Sequence, residues 1–167
     1  MFTIYVGDSG DVVRRIQADH CGNNTNIEAS SLRERLADHV GYQISKTKRP
    51  GGSTRKRLDL PEPRIGEQLI SSYVRSGVWK FVICSSAREA KEFQWYAIEQ
   101  LKPLLNIKCK SWKMENTERY KSLLATLLSS PSLRYAQLDG TYSGPGVYVL
   151  YHESQPEDVI MADKRTG

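Results

Sequence analysis

Three runs of apolar and aromatic residues in this chain predict β-strands. The runs are FTIYV at residues 2–6, VWKFVICS at residues 78–85 and GVYVLY at residues 146–151. Each run is short and rich in β-branched or aromatic side chains, which is the composition typical of strands. Because a sheet of only two strands has marginal stability, we expect all three runs to belong to one sheet.

Apolar residues recur at helical spacing in other parts of the chain. Leu32, Leu36 and Val40, for example, stand four residues apart and would form one stripe along a helix. The pattern predicts helices over residues 12–20, 31–40, 66–74, 86–105 and 117–128. Polar residues expected to cap three of these helices are Asp11, Ser30 or Ser31, and Asn116. Three strands with four or five helices predict a small α+β domain with one sheet.

The length and composition agree with one globular domain. The chain has 167 residues, 39% hydrophobic and 26% charged, so it can bury a core without disulfides or metals. No apolar run is long enough to cross a membrane, and the first residues do not have the pattern of a signal peptide. Three widely spaced cysteines form neither a disulfide framework nor a zinc pattern. We therefore expect a cytoplasmic protein, with the domain at residues 1–151 and a polar tail at 152–167.

Positive charge is concentrated in one segment. The net charge is +5, and KTKRPGGSTRKR at residues 46–57 holds six cations and no acid. The proline and two glycines at its centre predict a mobile loop. Such a loop suits contact with phosphates, because each cation adds affinity that does not depend on base sequence. A solvated surface loop is the alternative. The six cations are Lys46, Lys48, Arg49, Arg55, Lys56 and Arg57.

Four further residues are candidates for chemistry. If the first and last strands pair, the phenols of Tyr5 and Tyr148 would reach one site, where a phenol can hold or deprotonate a water. Cross-strand packing of the two rings is the alternative. Arg15 has a guanidinium suited to phosphate, or it pairs with Asp19 at the surface. Gln94 lies in line with the apolar face of its helix and needs a partner, which a structural bond to backbone would also supply.

These pieces together resemble the GIY-YIG nuclease family. IYVGDSGDVVRRI, at residues 4–16, is similar to the family's second motif strand, glycine turn and following helix. Tyr5 matches the motif tyrosine, and Arg15 falls where the family places its essential arginine. His20 lies close to a common histidine position. GVYVLY is similar to the first motif strand, with Tyr148 as its tyrosine.

The fourth predicted helix is similar to the closing helix of the same family. FQWYAIEQLKPLLN, at residues 93–106, ends with Pro103 and Asn106 at the family's proline and asparagine positions. In the family this helix carries a metal-binding glutamate, and the matching residue here is Gln94. A neutral amide lacks the charge that draws a hard divalent cation, so we expect weak cleavage or none. Either the residue was changed to trap an uncut complex, the explanation we prefer, or the protein lost cleavage naturally.

The order of the motifs also departs from the family. The family has the GIY-like strand first, joined by a short hairpin to the YIG-like strand, whereas here the GIY-like strand comes last. A circular permutation would explain this order, because the two strands are neighbours in the family's sheet. Exchange of the strand between two chains and a chance GVY match are the alternatives. The resemblance thus implies a three-stranded antiparallel sheet flanked by helices, permuted or strand-exchanged.

The resemblance implies a metal-dependent DNA endonuclease, with a compact domain and a basic insertion typical of restriction-type enzymes. One Mg²⁺ or Mn²⁺ ion would be held at position 94. Tyr5 or Tyr148 would position or deprotonate the attacking water, Arg15 would offset charge on the phosphate, His20 would assist proton transfer, and Asn106 would support the site. The residues expected to grip double-stranded DNA are the six cations of residues 46–57 with Arg33 and Arg35.

Two other classes of function remain open from the sequence. One is a DNA-binding module derived from a nuclease, in which Gln94 is native and no cleavage occurs. The other is a scaffold whose basic segment binds an acidic protein. If the nuclease recognises a palindrome, a two-fold homodimer is expected, and no membrane contact is expected in any of these cases.

Overall fold

The computed structural model describes residues 1–22 and 27–160, which contain six strands and five main helices. The strands are β1 (Phe2–Ser9), β2 (Ile44–Lys48), β3 (Thr54–Leu58), β4 (Val78–Ile83), β5 (Leu133–Arg134) and β6 (Gly146–His152). The helices are α1 (Val12–Arg14), which continues as a π-helix over Arg15–His20, then α2 (Ser31–His39), α3 (Pro63–Ser76), α4 (Ala87–Leu101) and α5 (Thr117–Ser129). The predicted α+β class is confirmed.

The main sheet is antiparallel throughout, with the strand order β1–β6–β4–β5. The three predicted strands are its first three members, and β6 is central between β1 and β4. The expectation of a three-stranded sheet is therefore correct only in part. A two-residue fourth strand pairs with the start of β4, and β2 and β3 form a separate two-stranded sheet.

Helices pack on both faces of this sheet. Alternation along β6 directs Tyr148 and Leu150 to a core shared with α1, α2 and α3. Val147 and Val149 point to the opposite face, where they pack with α4 and α5. Both faces are apolar because both are covered, so the sheet forms the middle layer of the fold.

Helix boundaries depend on caps that are partly visible in the sequence. The Asp11 carboxylate accepts a hydrogen bond from the Arg14 N–H, and the Ser30 hydroxyl accepts one from the Arg33 N–H, as expected of N-caps. Asn116 precedes α5 but makes no such bond, so that capping prediction is wrong. The fourth helix ends earlier than predicted, because Lys102 adopts a left-handed conformation with φ 46° before a proline.

The basic segment is a hairpin rather than a mobile loop. Ile44 pairs with Leu58 at the base, and Lys48 pairs with Thr54 near the turn. The Arg49 N–H donates to the Ser53 carbonyl, and the Gly52 N–H donates to the Arg49 carbonyl. The proline and glycines predicted as loop residues thus form only the turn, and the cations lie mostly on paired strands.

The chain beyond the predicted boundary at 151 also packs against the core. Residues 156–160 are helical, Ile160 is buried, and the Tyr73 hydroxyl donates to the Ser154 carbonyl at 2.7 Å. The rest of the predicted tail, residues 161–167, lies outside the described residues. Within the described part of the chain, no helix is long and apolar enough to cross a membrane.

Candidate active site

The two motif-like strands are neighbours in the sheet, as the resemblance implies. β1 pairs with β6 of the same chain, so that Gly7 faces Tyr148 and Tyr5 faces Leu150. A bulge between Thr3 and Tyr5 shifts the register. Both phenols consequently belong to the same core face, with ring centroids 6.4 Å apart.

A π-helix brings Arg15 and His20 to the same side. Its hydrogen bonds join residues five apart, as in the bond from the Cys21 N–H to the Ile16 carbonyl at 2.9 Å. Residues i and i+5 therefore lie nearly one above the other, and segments of this kind are frequent at functional sites. His20 Nε2 lies 2.6 Å from the Tyr148 hydroxyl, and the positive charge of Arg15 acts on the same phenol.

These bonds place the His20 ring between two hydroxyl groups. The bond between His20 Nε2 and Tyr148 holds one proton, which belongs to the phenol when His20 is protonated at Nδ1 and to the imidazole in the other tautomer. Nδ1 lies 2.6 Å from the Ser30 hydroxyl, which accepts a hydrogen bond from it in the first tautomer and donates one to it in the second. Ser30 thus supports both the α2 N-cap and the His20 ring. The arrangement is a continuous chain from Ser30 through His20 to Tyr148.

Burial controls the ionisation of this chain. Desolvation lowers the pKa of His20 well below 6.5, and the charges of Arg15 and Arg33 lower it further. Desolvation also raises the pKa of Tyr148 well above its ordinary value, while Arg15 opposes that shift. His20 is also stacked on Trp79, with ring centroids 6.0 Å apart and planes 7° apart. A neutral imidazole is therefore held rigidly against a neutral phenol, as a proton acceptor must be.

Tyr5 lies at the outer side of this group. Its ring meets that of His20 edge-on, with centroids 6.1 Å apart, and the Arg35 guanidinium lies 5.9 Å from the Tyr5 ring centroid. Desolvation raises the pKa of Tyr5, and Arg35 and Arg15 oppose the shift. Arg35 also lines a groove of about 540 Å³ that includes Lys46 of β2. Arg35 is therefore shared by the surroundings of Tyr5 and by the groove beside the basic hairpin.

Gln94 is not part of this cluster. It lies on α4, which covers the opposite face of the sheet from the two phenols, and its side chain is buried. Among the described residues, no hydrogen bond joins the Gln94 amide to Tyr5, Arg15 or Tyr148. The expectation that this amide shares one hollow with the phenols therefore stays a prediction, which no hydrogen bond within the described residues supports.

Asn106 has a clear structural role just beyond α4. Its side-chain oxygen accepts from the Val6 N–H at 2.8 Å, and its amide nitrogen donates to the Val6 carbonyl at 2.9 Å. The adjacent Leu105 N–H donates to the Ile4 carbonyl. The segment after α4 thus continues the sheet along the free edge of β1. Asn106 holds β1 in place and is a positioning residue for the tyrosine that this strand carries.

Asp8 is a functional candidate that the sequence analysis missed. Desolvation raises the pKa of this half-buried carboxyl, and the charges of Lys91 and Arg15 lower it. Its charge in turn raises the pKa of both Tyr5 and Tyr148. Asp8 therefore interacts electrostatically with both phenols and with Lys91 of α4. Its place directly after the motif glycine was the available signal.

The donor atoms present do not fit a hard divalent cation. Within residues 1–22 and 27–160, no group of three His, Cys, Asp or Glu residues could hold a metal ion. Gln94 offers one neutral oxygen, and Asp8 is already flanked by Lys91 and Arg15. Mg²⁺ prefers carboxylates, so the site as it stands lacks the charge to retain it.

The predicted DNA-binding cations divide into buried, paired and open residues. Arg33 is fully buried and donates to the His20 carbonyl and the Ser71 hydroxyl, so the expectation that it contacts DNA is wrong. The hairpin cations Arg49, Lys56 and Arg57 form ion pairs with Glu28, Glu34 and Glu67, respectively. The exposed hairpin cations are Lys46, Lys48 and Arg55, for which the described residues supply no ion pair.

Comparison with known proteins identifies no relative of this chain. No family model matches the chain, and searches of curated proteins and of solved structures give no significant match.

Proposed function

We propose that this protein is a DNA endonuclease of the GIY-YIG type whose cleavage is impaired by Gln94. The observation that carries the proposal is the Tyr148 hydroxyl, which lies 2.6 Å from His20 Nε2 at the pairing of the two motif-like strands, where the charge of Arg15 also acts on it. Each of these residues was identified from the family's motifs. Their proximity to one phenol supports hydrolysis of a phosphodiester.

The residues have distinct roles in the proposed reaction. Tyr148 takes a proton from the attacking water while its own proton passes to His20 Nε2. Burial lowers the pKa of His20, so its imidazole is neutral and has a lone pair free to accept the proton, while the same burial makes it a weaker base than an exposed histidine. Arg15, whose side chain is 30% exposed, contacts the phosphate and offsets its growing charge. Asp19 and the Ala29 carbonyl accept from Arg15 and fix its direction.

The neighbouring surface supports a duplex DNA substrate. Lys46, Lys48 and Arg55 project from the hairpin, and Arg35 lies in the groove between the hairpin and Tyr5. Cations at these positions would contact phosphates on either side of the cleaved bond. A compact catalytic domain with its own DNA-binding hairpin agrees with a restriction-type enzyme. If such an enzyme recognises a palindromic site, a two-fold homodimer is required.

In this proposal a carboxylate at position 94 would be the ligand of the family's metal ion. The proposed cofactor is one Mg²⁺ or Mn²⁺ ion, which stabilises negative charge on a leaving oxygen when it is bound. The residues present do not fit it, so we expect weak cleavage or none while position 94 is glutamine.

The test is the Gln94→Glu variant, incubated with supercoiled plasmid with and without Mg²⁺. We expect nicking by this variant only when Mg²⁺ is present, and none by Gln94→Ala, which removes the amide without adding a carboxylate. Binding of the same DNA is measured in parallel by gel shift. If Gln94→Glu binds duplex DNA but never nicks it, catalysis is not a property of this fold.

One observation favours a second function, a DNA-binding module without cleavage. The part of the chain that the structure describes holds no group of three His, Cys, Asp or Glu residues that could bind a metal ion, and Gln94 is buried on α4. On this proposal wild-type and Gln94→Glu proteins bind DNA equally and neither cleaves it. Salt-dependent binding with an inactive Gln94→Glu protein would therefore identify the module.

A further inference from the structure

A second basic surface lies on the outer side of α4, away from the hairpin. The segment after the helix, residues 102–113, holds four lysines and no acid. It is anchored along α4: the Trp112 ring meets the Tyr96 ring edge-on at 5.2 Å, and the Lys113 N–H donates to the Glu92 carboxylate at 2.6 Å. The segment is therefore a fixed part of the surface, and we call residues 102–113 the lysine segment.

The lysine segment and α4 enclose two adjoining grooves. One, of about 410 Å³, is lined by Arg88, Lys91 and Trp95, and by Trp112 and Lys113. The other, of about 560 Å³, shares Ser111 and Trp112 with the first. Both tryptophans are partly buried against the α4–α5 core and partly exposed at the surface. Two indole rings thus line a continuous channel at the surface.

The charge lining the first groove is positive and available. Arg88, Lys91 and Lys113 are exposed, and the described residues supply no ion pair to any of them. The acid in the lining is Glu92, whose pKa is lowered because its carboxylate accepts from the Lys113 N–H and from the Asn116 amide. Its charge is thus partly offset inside the protein. The Lys110 ammonium lies 5.8 Å from the Trp95 ring centroid, so the ring already attracts a cation that a ligand can displace.

We propose that this surface binds single-stranded nucleic acid. Cations that follow a backbone, together with aromatic rings on which bases stack, are the two elements that single-strand sites combine. The hairpin has the cations without exposed aromatic rings, and it suits a duplex, whose bases are already stacked. The α4 surface therefore has a different ligand from the hairpin, and binding there does not depend on cleavage.

Charge and geometry also connect this surface with the candidate active site. Lys91 acts on the carboxyl of Asp8, which lies beside the two phenols. Ile107, within the lysine segment, also lines the groove that contains Arg35 and Lys46. A strand separated from a duplex held at the hairpin could therefore continue along α4.

The test uses an oligothymidine of about twelve nucleotides and the full chain. Binding is followed by tryptophan fluorescence, which is informative because the third tryptophan, Trp79, is fully buried. We expect quenching on binding, and a dissociation constant raised about five- to a hundredfold in Trp95→Ala. Trp95→Phe should retain most of the affinity, since it keeps a stacking face. Circular dichroism checks that each variant is folded.

A second variant avoids any dependence on packing. Arg88→Ala combined with Lys113→Ala changes only exposed cations, and we expect weaker binding with a shallower salt dependence. Arg64→Ala, an exposed arginine on α3 across the sheet, is the matched control and should bind normally. Failure of the wild-type chain to bind the oligonucleotide would overturn the proposal, as would unchanged binding in both surface variants. Equally effective competition by poly-glutamate would also overturn it, because it would show a general anion surface.

Discussion

Gly7 lies directly opposite Tyr148 in the β1–β6 ladder, and the phenol occupies the space that a side chain at position 7 would need. A Cβ atom placed on Gly7 would lie 2.4 Å from Tyr148 Cζ and 2.4 Å from its hydroxyl oxygen. The motif glycine therefore serves a steric purpose: it allows the tyrosine of the neighbouring strand to lie across the β1 backbone and reach His20 and Arg15.

Replacement of Gly7 by alanine should destabilise the fold by about 1–3 kcal/mol, the usual cost of overpacking a core. It should also displace the Tyr148 hydroxyl from His20. Gly10→Ala is the matched control, since nothing lies within 4 Å of a Cβ at that position. Urea unfolding of both variants measures the difference. Equal stability of the two variants would contradict this account of the glycine.

The two tyrosines should differ in their contribution to cleavage. In the Gln94→Glu background, Tyr148→Phe removes the hydroxyl that is hydrogen-bonded to His20, and we expect nicking to fall about a hundredfold or more. Tyr5→Phe should have a smaller effect, because among the described residues no hydrogen bond connects its hydroxyl to His20. Plasmid nicking rates under identical conditions compare them. A larger loss in Tyr5→Phe would assign the base to the other strand.

Much of this fold follows from the pattern of apolar residues, whereas the site follows only in part. The strands containing Tyr5 and Tyr148 were predicted because alternation and β-branched side chains are local features of the sequence. The π-helix was not predicted, because its wider turn hardly alters the apolar pattern that contains Ile16. In this π-helix the backbone hydrogen bonds join residues five apart, the spacing that separates Arg15 from His20.

Long-range partners account for the remaining errors. Arg33 looks like a surface cation in the sequence, and its burial depends on Ser71, which is distant in the chain. The basic segment looked mobile because its acidic partners, among them Glu28 and Glu67, lie outside it. Ion pairs between distant segments leave no periodic signal, so the contacts that order this hairpin could be identified only in the structure.

Acid should destabilise this protein through His20. Since burial lowers the pKa of His20 below 6.5, the unfolded chain binds this proton at a higher pH than the folded chain does. The contribution of His20 to stability is therefore complete above about pH 6.5 and is lost as the pH falls toward the folded pKa. The loss is at most about 1.4 kcal/mol per pH unit. Desolvation also lowers the pKa of His152, which adds to the same trend.

The measurement is the free energy of unfolding in urea between about pH 7.5 and pH 5. His20→Gln is expected to be less stable at neutral pH, because it loses the hydrogen bonds of the imidazole to Tyr148 and Ser30. Its free energy of unfolding should, however, fall less steeply as the pH is lowered. An unchanged slope in His20→Gln would show that this imidazole is not held neutral.

The division of the hairpin cations into paired and open residues should be visible in duplex binding. Lys48 is exposed on β2, whereas Arg49 is paired with Glu28. If Lys48 contacts a phosphate, Lys48→Ala should weaken binding to all duplexes alike and reduce the slope of log K against log salt by about 0.9. Arg49→Ala should reduce the slope less, because its charge is already engaged by a carboxylate. Fluorescence anisotropy of a labelled duplex over a range of salt concentrations measures both slopes. If neither variant changes the slope, the hairpin does not contact the DNA backbone, and the grip on the substrate must come from Arg35 and the groove beside Tyr5.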